Sequence, residues 1–369
     1  MQLLLKILIP ISVFVIIAIP ASLIITNPQM AADVTDNYIR PIIGDAAVIY
    51  IEKIFYNTSD SVTRLTFHGT LPLSGQNQAD ISTTNDQNSN LNLSPISPNS
   101  QMQNVAGEGI WKKVILDSFP NQEIAATTFI RPDKDRPYAV VTVMQLDMQK
   151  ISLGIVAGLK EPGGSFGHPG AGKIPQQIIQ DHRLIGAFNG GFLYNDGQYG
   201  MIAGGIPYAP LKQDTATLVG YTDGTLKIVN YTGQDFGSNV AFVRQNCPIL
   251  INNGNLSVLD PKNKAAWGRT LTSETYTWRS GIGITKTGNL IYAGGNNLTP
   301  TTLAYALQSA GAMNAMQLDI NPAWVSFTLF SQNPQTGALT ALPFMKDARD
   351  RSKQYIHGHN KDFFYLYKK

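Results

Sequence analysis

Three patterns of apolar and polar residues divide the chain. The first is an uninterrupted apolar run, Ile7 to Ile25, 19 residues without a charge and preceded by Lys6. About 20 apolar residues suffice for a helix to span a bilayer core, and membrane helices tolerate prolines such as Pro10 and Pro20. Lys6 on one flank and Asp33 and Asp36 on the other predict the N-terminus inside and the body outside. A cleaved signal peptide is the rival reading, with small-residue cleavage positions near Ala21 or Ala31. Residues 31–69 form a mixed membrane-proximal segment, readable as short strands or as one amphipathic helix. From 70 to 105 the chain turns to Ser, Asn, Gln, Thr and Pro with no aromatics. Such a segment buries too little apolar surface to offset its ordering entropy and reads as a disordered linker.

The third pattern fills residues 106–369. Alternating apolar and polar positions predict strands at 138–148, 215–229 and 280–295. Asp223-Gly224 and Gly288-Asn289 interrupt the last two and mark hairpins. Helical signals are fewer. Residues 174–183 carry a proline just inside their start, and 299–311 offer Thr299 as N-cap, Pro300 at the first helical position and Gly311 past the end. The sum is an α+β body of mixed or antiparallel sheets with a few packed helices, preceded by one transmembrane helix.

Composition narrows the function. Charged residues are 14% of the 369 and the net charge is +3, so no basic stripe exists to displace counterions from a phosphate backbone, and a nucleic-acid partner is not expected. One cysteine, Cys247, excludes an intrachain disulfide framework and a thiolate zinc cluster. His357-Gly358-His359 fits no standard zinc spacing and reads as a surface pair. No motif indicates a metal; a divalent ion at carboxylates is left open.

Three segments carry candidate chemistry. The strand ending at Phe188 leads into Asn189-Gly190-Gly191, where successive N–H groups can form an anion nest and the Asn189 amide adds a donor and an acceptor. An ordinary glycine turn gives the same letters. Asp319 ends the apolar run Ala315–Leu318 and is costly to bury unless paired or functional. Asn321 and Trp324 follow, an amide and an apolar face suited to sugars. Arg279, at the start of the third strand region, is a planar partner for phosphate.

Taken together these segments resemble the phosphodiester glycosidase family. The resemblance rests on Asn189-Gly190-Gly191-Phe192, a partial echo of a turn at Cys247–Gly254, Arg279-Ser280-Gly281-Ile282-Gly283, and the Thr299-capped helix followed by Leu318-Asp319, in order over roughly residues 110–369. The commoner family form continues Leu-Asp-Gly-Gly-Gly-Ser; here Ile320-Asn321-Pro322-Ala323-Trp324 follows Asp319, which marks a distinct bacterial-type branch. The resemblance implies hydrolysis of a sugar-1-phosphodiester at the anomeric carbon, on an envelope or extracellular glycan, by a domain held outside the cytoplasmic membrane. Catalytic roles then fall to Asp319, Arg279 and Asn189, and substrate contacts to Gly190, Gly191, Asn321, Trp324 and Asp362. Glu161, Asp196 and Asp362 are the candidates for a second carboxylate. The alternative is a non-catalytic envelope glycan-binding protein on the same fold.

Overall fold

A computed structural model describes residues 30, 34–67, 91–120, 122–259, 275–320, 322–345, 348 and 350–369. The body is α+β, built on three sheets in which every strand pairing is antiparallel. The largest sheet has eight strands. Its centre runs Val141–Leu146, Leu290–Leu298, Thr277–Thr285, Ala312–Ile320 and Ile249–Asn252. A five-stranded sheet holds Val240–Gln245 at its middle, beside the Thr215–Tyr221 and Leu226–Tyr231 hairpin. A second five-stranded sheet places Leu184–Asn189 between Phe327–Gln332 and Phe363–Lys368.

The expected hairpins form. Asp223-Gly224 closes the first, with Gly224 at φ 87°, and Gly288-Asn289 the second, with Gly288 at φ 84°. These are left-handed positions that glycine occupies without a Cβ penalty. Thr299 caps the Pro300–Ser309 helix in a reciprocal box with Thr302. That helix buries Leu303, Ala304, Ala306 and Leu307 against Ile291, Ala293 and Ala315 of the large sheet. Truncating Leu303, fully buried, to alanine costs about 2–5 kcal/mol by the usual cavity arithmetic. The inner core joins the sheets through an aromatic cluster, Phe188, Tyr292, Phe327 and Phe364, with ring centroids 4.9–5.4 Å apart.

One open reading resolves and one boundary moves. Within 31–69 the helical reading holds: Asp45–Thr66 is one helix. Buried Asp60 receives three hydrogen bonds of 2.9–3.0 Å from Arg136 and one of 2.9 Å from Tyr138, which fastens the helix to the body. The last part of the polar stretch belongs to the body. Asn92 N donates to Gln145 Oε1 at 2.7 Å, Ile96 N to Gly109 O at 2.9 Å, and Trp111 Nε1 to Ser94 O at 3.1 Å. The folded body therefore starts near residue 91 and not at 106. Ile96 also packs against the core, a single apolar anchor within a stretch that is otherwise mostly polar. The apolar run Ile7–Ile25 lies outside the described residues, and among those described no helix is long and apolar enough to cross a membrane.

Candidate active site

Register decides which side chains meet. Phe363 lies opposite Asn189, so Asp362 stands beside Gly190 at the ends of two neighbouring strands. In the large sheet Arg279 faces Ile320 while Gly281 faces Gln317, which leaves an extra residue on the Ala312–Ile320 strand. Such a bulge re-aims side chains locally. It turns Asp319 toward the Asn189–Gly191 corner: Asp319 N donates to Gly190 O at 3.2 Å, and Ser280 Oγ donates to Asp319 O at 3.1 Å.

Asn189 is buried and its amide is fully used. Its Nδ2 donates to Gly190 O at 3.1 Å and Ser280 Oγ at 3.0 Å; its Oδ1 accepts from Tyr292 OH and Ser326 N, each at 3.2 Å. The side chain ties three strands together, which is a positioning role. The glycine corner is filled from within the protein. Gly190 N donates to Asp362 O at 3.2 Å and Gly191 N to Asp362 Oδ2 at 3.3 Å. A Cβ on Gly190 would lie 2.0 Å from Asp362 Oδ2. The anion that occupies this nest is thus the chain's own Asp362. Its carboxylate also takes a two-pronged hydrogen bond from Arg244, at 2.8 and 3.0 Å, with both side chains completely buried. Burial alone would lower the Arg244 pKa; Asp362, joined by Asp319 and Glu161, more than reverses this and holds it above its ordinary value.

Arg279 is placed elsewhere. Its guanidinium donates to Leu298 O at 2.8 Å, Gln317 Oε1 at 3.0 Å and Thr275 O at 3.0 Å. Strand alternation explains the difference: Ser280 faces the Asn189 corner, so its neighbour Arg279 faces away. Burial lowers the Arg279 pKa to about 10. The expected meeting of Asn189, Arg279 and Asp319 is corrected to Asn189, Ser280 and Asp319, and the arginine of the corner is Arg244 from the five-stranded sheet centred on Val240–Gln245.

Asp319 forms a buried ion pair with Lys361 and accepts Ile320 N at 2.8 Å. Burial pushes its carboxyl up to about 6, against the Lys361 ammonium and the Ile320 N–H; Asp196 adds to the rise. Lys361 Nζ also lies 4.2 Å from the Trp324 ring centroid, and Arg351 Cζ lies 5.2 Å from it. Two cations therefore use the ring that the sequence offered as a sugar face. Glu161 is half-buried; its Oε2 accepts Tyr194 N at 3.0 Å, and burial raises its pKa while Lys361 opposes the rise. Of the three candidate second carboxylates, Asp362 is consumed by Arg244, and Glu161 and Asp196 act electrostatically on the Asp319–Lys361 pair. Asn321 lies outside the described residues.

His359 is buried and not a surface residue as expected. Burial and Arg351 lower its pKa to about 4, so the ring is neutral. With its proton on Nδ1 it donates to Lys361 O at 2.8 Å and accepts from Arg351 Nη1 at Nε2, 3.3 Å away. Among the described residues no group of three or more His, Cys, Asp or Glu side chains is placed to hold a metal ion.

The corner thus gathers Asn189, Gly190 and Gly191, Arg244, Ser280 and Asp319. Residues 182–319 match the phosphodiester glycosidase family. The matched stretch contains the NGGF corner, Arg244 and Ser280 and ends on Asp319; Glu161, Trp324, Lys361 and Asp362 lie beyond it. No curated protein sequence matches the chain. Solved structures similar to it include the zebrafish N-acetylglucosamine-1-phosphodiester alpha-N-acetylglucosaminidase catalytic domain, auto-inhibited by its pro-peptide, at 16% identity over 70% of this chain and 88% of that one, TM-score 0.44. A hypothetical protein from Synechocystis matches at 13% identity over 70% of this chain and 64% of that one, TM-score 0.38.

Sequence reasoning missed Arg244 and Lys361. Both carried the signal that exposed Asp319, a charge set against an apolar run: Arg244 inside Val240–Gln245, and Lys361 just before Phe363–Lys368.

Proposed function

We propose that this protein hydrolyses a glycosyl phosphodiester at the anomeric carbon, releasing free sugar and a phosphomonoester. The observation that carries the reading is the pairing of Asp319, which ends the family-matched stretch, with Lys361 from outside it, a carboxyl with a pKa of about 6 beside a buried ammonium. A base whose pKa sits just below neutral is ionised at pH 7 and still takes a proton readily. Asp319 would remove the proton of a water molecule as its oxygen attacks the anomeric carbon. The bond from that carbon to the ester oxygen breaks, and the electron pair leaves on the phosphomonoester. This leaving group is an anion, so the site needs charge stabilisation more than an acid. Lys361 supplies the positive charge. Asn189, Ser280 and the Arg244–Asp362 pair fix the backbone that carries Asp319 and Lys361.

The uncharged run Ile7–Ile25 supports export and anchoring, which would present the domain to envelope or extracellular glycans. The test is turnover of an aryl phosphodiester of a sugar, coupled to a phosphatase that frees the coloured aryl alcohol. Wild type should turn over, and Asp319→Asn should lose most of the rate while remaining folded. Sugar-phosphate binding without turnover would instead favour a glycan-binding protein.

A further inference from the structure

Trp324, the aromatic expected to receive the sugar, is engaged by Lys361 and Arg351. A different aromatic pair stands beside Glu161. Phe166 is 39% exposed, and its ring meets Tyr194 edge-on, with centroids 4.8 Å apart at 87°. Tyr194 is the residue whose N–H binds Glu161 Oε2, and its short helix Tyr194–Gly197 contains Asp196, which acts on Asp319. Beyond residue 65, the large apolar side chains most open to solvent among the described residues are Ile110, Leu159, Phe166, Ile206 and Tyr305. Phe166 follows Glu161 by five positions, and the Gly164–Phe166 turn packs on the Ile206–Ala209 strand.

Phe166 is held in place although exposed. Gly164 N donates to Lys160 O at 2.8 Å, Phe166 N and His168 N each donate to Gly163 O at 3.0 Å, and Gly170 N donates to Gly158 O at 2.9 Å. A Cβ on Gly163 would sit 2.2 Å from His168 O and 2.6 Å from Tyr208 Cδ1, so the turn is closely packed. A pinned, solvent-facing aromatic next to carboxylates offers a sugar an apolar face for its C–H surface and acceptors for its hydroxyls, with little ordering cost on binding.

We propose that Phe166 and Tyr194 form the saccharide platform of the site, an inference that rests on the glycosyl phosphodiester reading for its ligand class. The test is calorimetric titration of the full chain with a panel of hexose and N-acetylhexosamine 1-phosphates, and with inorganic phosphate as the sugar-free probe. At least one sugar phosphate should bind more tightly than inorganic phosphate. Phe166→Ala should weaken that sugar phosphate about threefold to tenfold, the range of one lost aromatic contact, and leave inorganic phosphate unchanged. Phe166→Trp should restore the preference. Phe166 sits at the surface, so both variants should stay folded, which near-ultraviolet circular dichroism checks before titration. The platform is overturned if no sugar phosphate binds better than inorganic phosphate, or if Phe166→Ala leaves the preference intact or weakens both probes equally. Turnover enters neither arm, so a protein that shows the preference yet hydrolyses nothing keeps the platform and loses the hydrolase reading.

Discussion

Replacing Asp362 by alanine probes the device that shapes the Asn189–Gly191 corner. Asp362 accepts two hydrogen bonds from Arg244 and one from Gly191 N, and neither charged side chain reaches solvent. Removing one member of such a pair strands a buried charge, at a cost of about 3–5 kcal/mol. Against a total of about 5–15 kcal/mol for a domain, that is a large share. Replacing both members by apolar residues removes the stranded charge, so Arg244→Met with Asp362→Leu should cost less than the two single changes together by about 2 kcal/mol or more. The double variant does not return fully to wild type, because Arg244 also donates to Gln245 O at 2.7 Å and Phe192 O at 3.0 Å. Urea unfolding of the full chain in mild detergent, followed by near-ultraviolet circular dichroism, measures all four corners of the cycle. Additive single changes, or an Asp362→Ala loss below about 1 kcal/mol, would refute the claim that the chain fills its own nest.

Four further outcomes follow from the same geometry. Gly190→Ala should cripple folding or activity, because its Cβ would lie 2.0 Å from Asp362 Oδ2 and 2.6 Å from Asp362 O, and the backbone oxygen cannot swing away; a Gly190→Ala variant with wild-type stability and rate would contradict this packing. The rate should rise with pH through about 6 as Asp319 ionises, and Lys361→Met, which removes the cation opposing that rise in pKa, should move the limb to higher pH; a limb that stays in place separates Asp319 from the chemistry. Since Asp319 binds its proton more tightly folded than unfolded, its contribution to stability is present below about pH 4 and is lost as the pH climbs through about 6. Arg279→Met should lower stability by about 1–3 kcal/mol for each acceptor left bare yet leave KM unchanged; a raised KM in a protein of normal stability would return Arg279 to the site.

The sequence disclosed most where local chemistry decides structure. The two hairpins rest on Asp-Gly and Gly-Asn turns, and the Pro300–Ser309 helix on its cap, proline and terminal glycine, all short-range features. Asn189 and Asp319 stood out as polar groups ending apolar strands, and they do share a corner. What failed depended on register. A one-residue step decides whether a strand residue faces the corner, so Ser280 stands where Arg279 was expected. The added residue at the bulge, which points Asp319 inward, has no signature of its own. Occupancy was equally hidden: a Gly-Gly turn looks the same whether it awaits an anion or already holds Asp362, 171 residues away. Trp324 read as a free aromatic because its cations come from 27 and 37 positions downstream, Arg351 and Lys361.

The central claim is that Asp319, poised by Lys361, directs water to an anomeric carbon. Hydrolysis of a sugar aryl phosphodiester in ¹⁸O-water, with the phosphatase omitted, tests it most directly through the mass of the aryl phosphate released. Cleavage at carbon predicts an unlabelled aryl phosphate from the wild type and almost none from Asp319→Asn. An ¹⁸O-labelled aryl phosphate would place the attack on phosphorus, and equal rates for the two proteins would remove Asp319 from the reaction.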